Sequence, residues 1–169
     1  KKRPNKIRPA LDNFPIAGSV GANLLVGGNI APGTNGPGLL VFPSSLNLFS
    51  GATLTLSGTN TSPGTYDQLS VVGTVALSNA TLQVLSLPSV SPGTTFILIT
   101  NDGVDAVQGE FLGLPENSVL NVSGQPFRIH YAGGSGNDVT LVRDSGSAAP
   151  QLGTGSYTNG TFRLSVAGA

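Results

Sequence analysis

The chain has 169 residues, eight basic and eight acidic side chains for a formal net charge of zero, and is 38% hydrophobic but only 9% charged. Its length and apolar content suffice for a core of ordinary domain size, while its charge lies far below the roughly 25% usual in soluble domains. Cysteine is absent, which excludes disulfides and thiolate metal sites, and no apolar run is long enough to cross a membrane as a helix.

Residues 1–13 read as an extended arm. Lys1, Lys2, Arg3, Lys6 and Arg8 supply five of the eight basic groups, and Pro4 and Pro9 oppose helix. Residues 1–8 therefore carry +5 and the rest of the chain −5. No aromatic residues interleave with these charges, and the body is acidic, so a nucleic-acid partner is not expected. An acidic neighbouring subunit suits the arm better, and a solvated tail is the plain alternative.

From Phe14 to Val26 every even position is apolar or small: Phe14, Ile16, Gly18, Val20, Ala22, Leu24 and Val26. Period two marks one face of a strand. Residues 1–26 are accordingly expected to form an N-terminal arm and assembly strand, with 27–169 as the body. Phe14, Ile16, Val20, Leu24 and Val26 would fill pockets on a neighbouring subunit by β-strand addition. The plainer alternative makes 14–26 the first strand of its own domain.

The body is punctuated by Gly- and Pro-rich turns at 31–38, 62–64, 91–93 and 133–136. Between them the pattern predicts short strands near 39–42, 46–49, 52–57, 66–72, 74–77, 80–87, 95–100, 107–112, 119–122, 126–132 and 138–143, with two more at 157–158 and 161–166. No segment shows a helical period. Gly51-Ala52-Thr53-Leu54-Thr55-Leu56 recurs as Asn79-Ala80-Thr81-Leu82-Gln83-Val84, an echo offset by 28 residues. Repetition on that scale suggests stacked repeats. The expected fold is all-β, a β-solenoid single domain with an extended arm, or alternatively a β-sandwich or jelly roll.

The residues offer little chemistry. His130 is the sole histidine and alternates with apolar neighbours in a strand pattern; without a nucleophile and an orienting acid it makes no triad. Glu110 and Glu116 are nearby acids, but nothing in the sequence marks them as a glycosidase pair. Gly133 to Leu141 matches most of a Ca²⁺-binding nonapeptide, except that Thr140 stands where an apolar residue belongs. A glycine-rich hairpin turn is the simpler reading. Asp102, Asp105 and Asp138 carry hard oxygen ligands, yet Asn101-Asp102-Gly103 is also ordinary turn chemistry. The expectation is no enzyme, no cofactor and no metal. Asn60, Asn79, Asn121 and Asn159 begin N-x-[ST] sequons, which matter only where N-glycosylation occurs.

Several segments from residue 31 to 142 resemble the β-helical repeat region of bacterial autotransporter-like surface proteins. They are Ala31-Pro32-Gly33-Thr34, Gly51-Ala52-Thr53-Leu54, Tyr66-Asp67-Gln68-Leu69-Ser70-Val71 and Gly93-Thr94-Thr95-Phe96-Ile97-Leu98-Ile99. Gly109 to Glu116 and Gly133 to Leu141 follow in the same order. The resemblance implies an exported protein of stacked β coils at a bacterial cell surface, with no catalytic residues. The absence of Met even at position 1 fits a chain processed during export.

Together these features predict an extracellular structural subunit that polymerises head to tail into a surface filament. The N-terminal strand would dock on the next copy. The alternative is a β-helical segment of a large secreted adhesin that binds carbohydrate or surfaces.

Overall fold

The computed structural model describes residues 24–33 and 36–146, together with short strands at 14–16, 18–19, 151–152, 156–158, 161–163 and 166–167; side chains are described for 26–33 and 36–146. No helix occurs among the described residues, so the all-β expectation holds.

Between residues 39 and 101 the strands follow the turn punctuation, whereas a strand at 29–32 runs into the turn expected at 31–38. In chain order the first eleven are β1 (Phe14–Ile16), β2 (Gly18–Ser19), β3 (Leu24–Val26), β4 (Asn29–Pro32), β5 (Leu39–Phe42), β6 (Leu46–Leu48), β7 (Thr53–Ser57), β8 (Gln68–Val71), β9 (Val75–Ala76), β10 (Thr81–Ser86) and β11 (Thr95–Asn101). Alternation sets their inward faces. In β7, Leu54 and Leu56 are buried while Thr53, Thr55 and Ser57 are partly exposed, as the two-residue side-chain period requires.

Each of β1 to β8 pairs in parallel with the strand three elements later. Phe14 lies opposite Ile30, Ile30 opposite Leu54, and Leu54 opposite Leu82. Leu40, Leu69 and Ile99 form a second column, and Leu24, Leu46 and Val75 a third. The 28-residue echo is the register of one such pair: Thr53 meets Thr81, Leu54 meets Leu82, and Leu56 meets Val84. Like side chains thus stack on like, and the apolar columns fuse into one core.

Beyond β11 the pairing changes sense. The chain continues as β12 (Val119–Val122), β13 (Gln125–Gly133) and β14 (Asp138–Arg143). β14 pairs antiparallel with β11 on the edge opposite β8, and β13 and β12 follow antiparallel. The result is a seven-stranded mixed sheet, β12-β13-β14-β11-β8-β5-β2, beside a four-stranded sheet, β1-β4-β7-β10, and a three-stranded one, β3-β6-β9. Two further two-stranded sheets lie at 151–167.

The β-solenoid expectation is corrected by this arrangement. The sheets are several, unequal and mixed, consistent with a β-sandwich rather than a β-solenoid. The physical reason lies in the connections. A parallel partner needs a crossover of about a dozen residues, whereas a tight turn forces an antiparallel one. β12 and β13 are joined by Ser123-Gly124 alone, with φ of 51° and 79°. Positive φ at both central residues is the signature of a two-residue type I′ hairpin. The turn between β13 and β14 is likewise short, with Gly134 and Gly136 at φ of 55° and 111°.

A second correction concerns 14–26. Its alternation is not one long strand: β1, β2 and β3 belong to three different sheets. Period two is the mark of extended backbone, and it does not distinguish one long strand from short strands placed in successive sheets. The strand expected at 107–112 is instead an irregular segment. It still hydrogen-bonds along β9, with Gln108 bridging Ala76 and Leu112 N–H donating to the Ala80 carbonyl at 2.8 Å.

Candidate functional site: open sheet edges and two polar clusters

Three parallel columns end together at the N-terminal side. β1, β2 and β3 are each the outermost strand of their sheet. A strand on an edge leaves a row of backbone donors and acceptors without sheet partners, which is a template for another chain. At the opposite end most edges are covered. β14 lies along β11, and the 107–112 segment lies along β9. Among the described residues β10 pairs with β7 alone and is the outermost strand of the four-stranded sheet. Its Leu82 and Val84 are only partly buried, and Leu85 is 59% exposed.

The residues expected to mediate assembly fall on this geometry as follows. Phe14 and Ile16 are in β1, opposite Ile30 and Pro32. Leu24 and Val26 are in β3, opposite Leu46 and Leu48. These pairings are within the chain, and Val26 is buried in its own core. Lys1, Lys2, Arg3, Lys6, Arg8 and Val20 lie outside the described residues.

Asp67, the only charge between Asp12 and Asp102, is almost fully buried, and sequence reasoning assigned it no role. Its Oδ1 accepts the Gly38 N–H at 2.7 Å, and its Oδ2 accepts the Ser57 N–H at 2.7 Å and the Ser57 hydroxyl at 2.9 Å. One carboxylate therefore ties the start of β5 to the end of β7. The isolation of this charge in a long neutral stretch was the available signal: a lone charge kept there is one the fold uses.

Glu110, Glu116, His130 and Tyr131 come together around a shallow hollow that Asn79, Val107 and Gly109 also line. The His130 Nδ1 lies 2.8 Å from Glu116 Oε1, and Glu116 Oε2 accepts the Tyr131 N–H at 2.7 Å. Glu110 Oε1 accepts the Glu116 N–H at 2.9 Å. The Tyr131 hydroxyl donates to the Leu114 carbonyl at 2.6 Å and accepts the Phe111 N–H at 3.0 Å. Burial pushes the Tyr131 phenol up to about 12; the Phe111 hydrogen bond opposes this, and the charges of Glu110 and Glu116 add to it. Both Glu116 oxygens and the phenol are thus engaged with the protein itself. They fasten the 110–117 loop to β13, whereas paired acids that cleave a glycoside need one carboxylate free to attack or to hold water.

The second cluster joins the β11 end to the β13–β14 turn. Asp138 is 3% exposed; its Oδ1 accepts the Asn101 N–H at 2.9 Å and its Oδ2 accepts the Ser135 N–H at 3.1 Å. A side chain on Gly134 would place its Cβ 2.0 Å from that Oδ2, so the close approach requires glycine. Asn137 Nδ2 donates to the carbonyls of Asp102 and Asp105, at 3.1 and 3.2 Å. The nonapeptide-like stretch therefore serves as a hairpin turn, its Asp138 and Asn137 holding the Asn101–Asp105 turn. No group of three or more His, Cys, Asp or Glu side chains among the described residues is placed to hold a metal.

No known protein family matches the chain, and neither a curated protein nor a solved structure does so. No helix among the described residues is long and apolar enough to cross a membrane.

Proposed function

We propose that the protein is an extracellular structural subunit of a bacterial surface assembly, joined head to tail to further copies through its sheet edges. The observation that carries this reading is the common ending of three sheets on β1, β2 and β3. The outer edge of β1 is the donor, and the outer edge of β10 on the next copy is the acceptor. Pairing them would continue the column Phe14, Ile30, Leu54, Leu82 into a second molecule without changing its register. Such a contact is heterologous and propagates. The low charge of the chain and its resemblance to exported β-helical surface proteins support the same reading, with self as the partner and no catalytic role.

A polar row favours a second reading, adhesion to carbohydrate or another surface. Thr55 Oγ1 donates to Asn29 Oδ1 at 2.8 Å and lies 3.4 Å from Gln83 Oε1 across β4, β7 and β10. Such a strip of hydroxyls and amides presents donors and acceptors of the kind sugars match.

The test is sedimentation and electron microscopy of the full chain, with Gln83→Lys and Leu85→Asp on the acceptor edge. Charge on an edge strand opposes strand addition, and both side chains are exposed, so folding should be unaffected. Wild-type protein should form concentration-dependent filaments, and the double variant should remain monomeric with the same β-type circular dichroism. A monomeric wild type at millimolar concentration, or filaments unchanged in the variant, overturns the assembly reading.

A further inference from the structure

Two buried oxygen atoms in one turn have no hydrogen-bond partner: Asn101 Oδ1 and Asp105 Oδ2. Asn101 is 2% exposed, and its Nδ2 donates to the Asp105 carbonyl at 2.7 Å, which commits the amide nitrogen and turns Oδ1 to the other side. The Asp105 carboxylate folds back over the turn, its Oδ1 3.8 Å from where a Cβ on Gly103 would sit. An acceptor buried without a donor costs about 1–3 kcal/mol, and a carboxylate more. The Asn101 side chain reaches the Asp105 backbone, so both orphaned acceptors belong to one turn, and each calls for an electropositive partner.

The local charge points the same way. The Asp138 carboxylate accepts the Asn101 N–H, while the Asn101 and Asn137 side-chain amides hold the backbone carbonyls of Asp102 and Asp105, leaving the Asp102 and Asp105 side chains out of that network. The arginines among the described side chains are committed elsewhere. Arg128 pairs with Asp144 at 2.5 Å, and Arg143 donates to the Pro126 carbonyl at 3.2 Å. His130 is held by Glu116 at 2.8 Å. Among the described residues no ion pair with Arg or His reaches Asp102, Asp105 or Asp138. Oxygen ligands from Asn, Asp and water are those preferred by hard divalent cations. Asp102, Gly103 and Val104 at the tip are exposed, so an ion has a path in.

We propose that the Asn101–Asp105 turn binds one Ca²⁺-like cation through Asn101 Oδ1 and the Asp105 carboxylate, with water completing the shell. Asp138 is not a ligand in this arrangement, because its two oxygens already accept from Asn101 and Ser135; it is a positioning residue for the turn. One carboxylate and one amide oxygen make a weak site, with a dissociation constant in the roughly 10⁻⁴–10⁻³ M range of extracellular modules. The sequence-based expectation of no metal is replaced here by this proposal.

The test is calorimetric titration of the full chain with CaCl₂, alongside thermal unfolding in 10 mM CaCl₂ and in EDTA. Ca²⁺ at ten to a hundred times its dissociation constant should raise the melting temperature by about 3–10 °C. Asp105→Asn, which keeps the shape and removes the charge, should fold normally but lose both the binding heat and the shift. Asn101→Asp, which adds a second carboxylate ligand, should tighten Ca²⁺ binding by about tenfold. Absence of binding in the wild type overturns the site and identifies the group between the oxygens as water. An equal shift in Asp105→Asn, or the same shift from NaCl of matched ionic strength, overturns it as well.

Discussion

Replacing Asp67 with alanine tests whether one carboxylate holds the parallel half of the fold together. The side chain is 5% exposed and accepts three hydrogen bonds, from Gly38 N, Ser57 N and Ser57 Oγ, at 2.7, 2.7 and 2.9 Å. Hydrogen bonds to a charged acceptor contribute about 1.5–3 kcal/mol each. They are not additive within one group, and water entering the vacated space would recover part of the loss. A net loss of about 3–5 kcal/mol is expected, near the cost of removing one partner from a buried charged network. For a chain of this length that corresponds to a fall in melting temperature of roughly 6–20 °C. Asp67→Asn should cost nearly as much. Its carboxamide keeps one acceptor oxygen but turns an NH₂ group toward a backbone N–H, setting donor against donor. Urea unfolding followed by far-ultraviolet circular dichroism measures both variants. A loss below about 1 kcal/mol in Asp67→Ala, with an unchanged slope against denaturant, would refute the view that this residue fastens β5 to β7.

Other outcomes follow from the turn and the phenol. Gly134→Ala forces a side chain into a φ of 55° and a Cβ to within 2.0 Å of Asp138 Oδ2; a loss of about 2–4 kcal/mol is expected in urea unfolding, and a variant as stable as the wild type would show that the turn relaxes freely. Tyr131 has a folded pKa raised to about 12 from 10.0 by burial, so the folded state keeps a proton that the unfolded state has lost between those values. The contribution of Tyr131 to stability should be constant below about pH 10 and be lost as the pH rises toward 12, and Tyr131→Phe should remove that alkaline slope while costing about 1–3 kcal/mol at neutral pH for the orphaned Phe111 N–H and Leu114 carbonyl.

Much of the fold was legible because strands declare themselves locally. The alternation in Thr53–Ser57 and the turn residues at 62–64 and 91–93 reflect side-chain direction and backbone φ, which neighbouring residues control. The echo between 53–56 and 81–84 carried long-range information as well, since it is the register of β7 on β10. The candidate sites were far less legible. His130 and Glu116 are 14 residues apart in sequence, and nothing in either segment marks them as partners. Asp67 showed only as an isolated charge; its three donors come from segments 10 and 29 residues away.

By itself, the sequence determined that the protein is all-β and, for most strands between residues 39 and 143, where they lie and which of their faces is apolar, because each of these follows from short-range sterics and period. Only the tertiary structure decided how the strands are partnered. The 14–26 alternation is compatible with one long strand or with three short ones, and the structure distributes it over three sheets. β11 is apolar on a pattern that serves either pairing sense, yet it is parallel to β8 and antiparallel to β14. Pairing sense depends on where distant segments meet once the core closes, and a period-two pattern carries no record of which edge a strand shares with which neighbour.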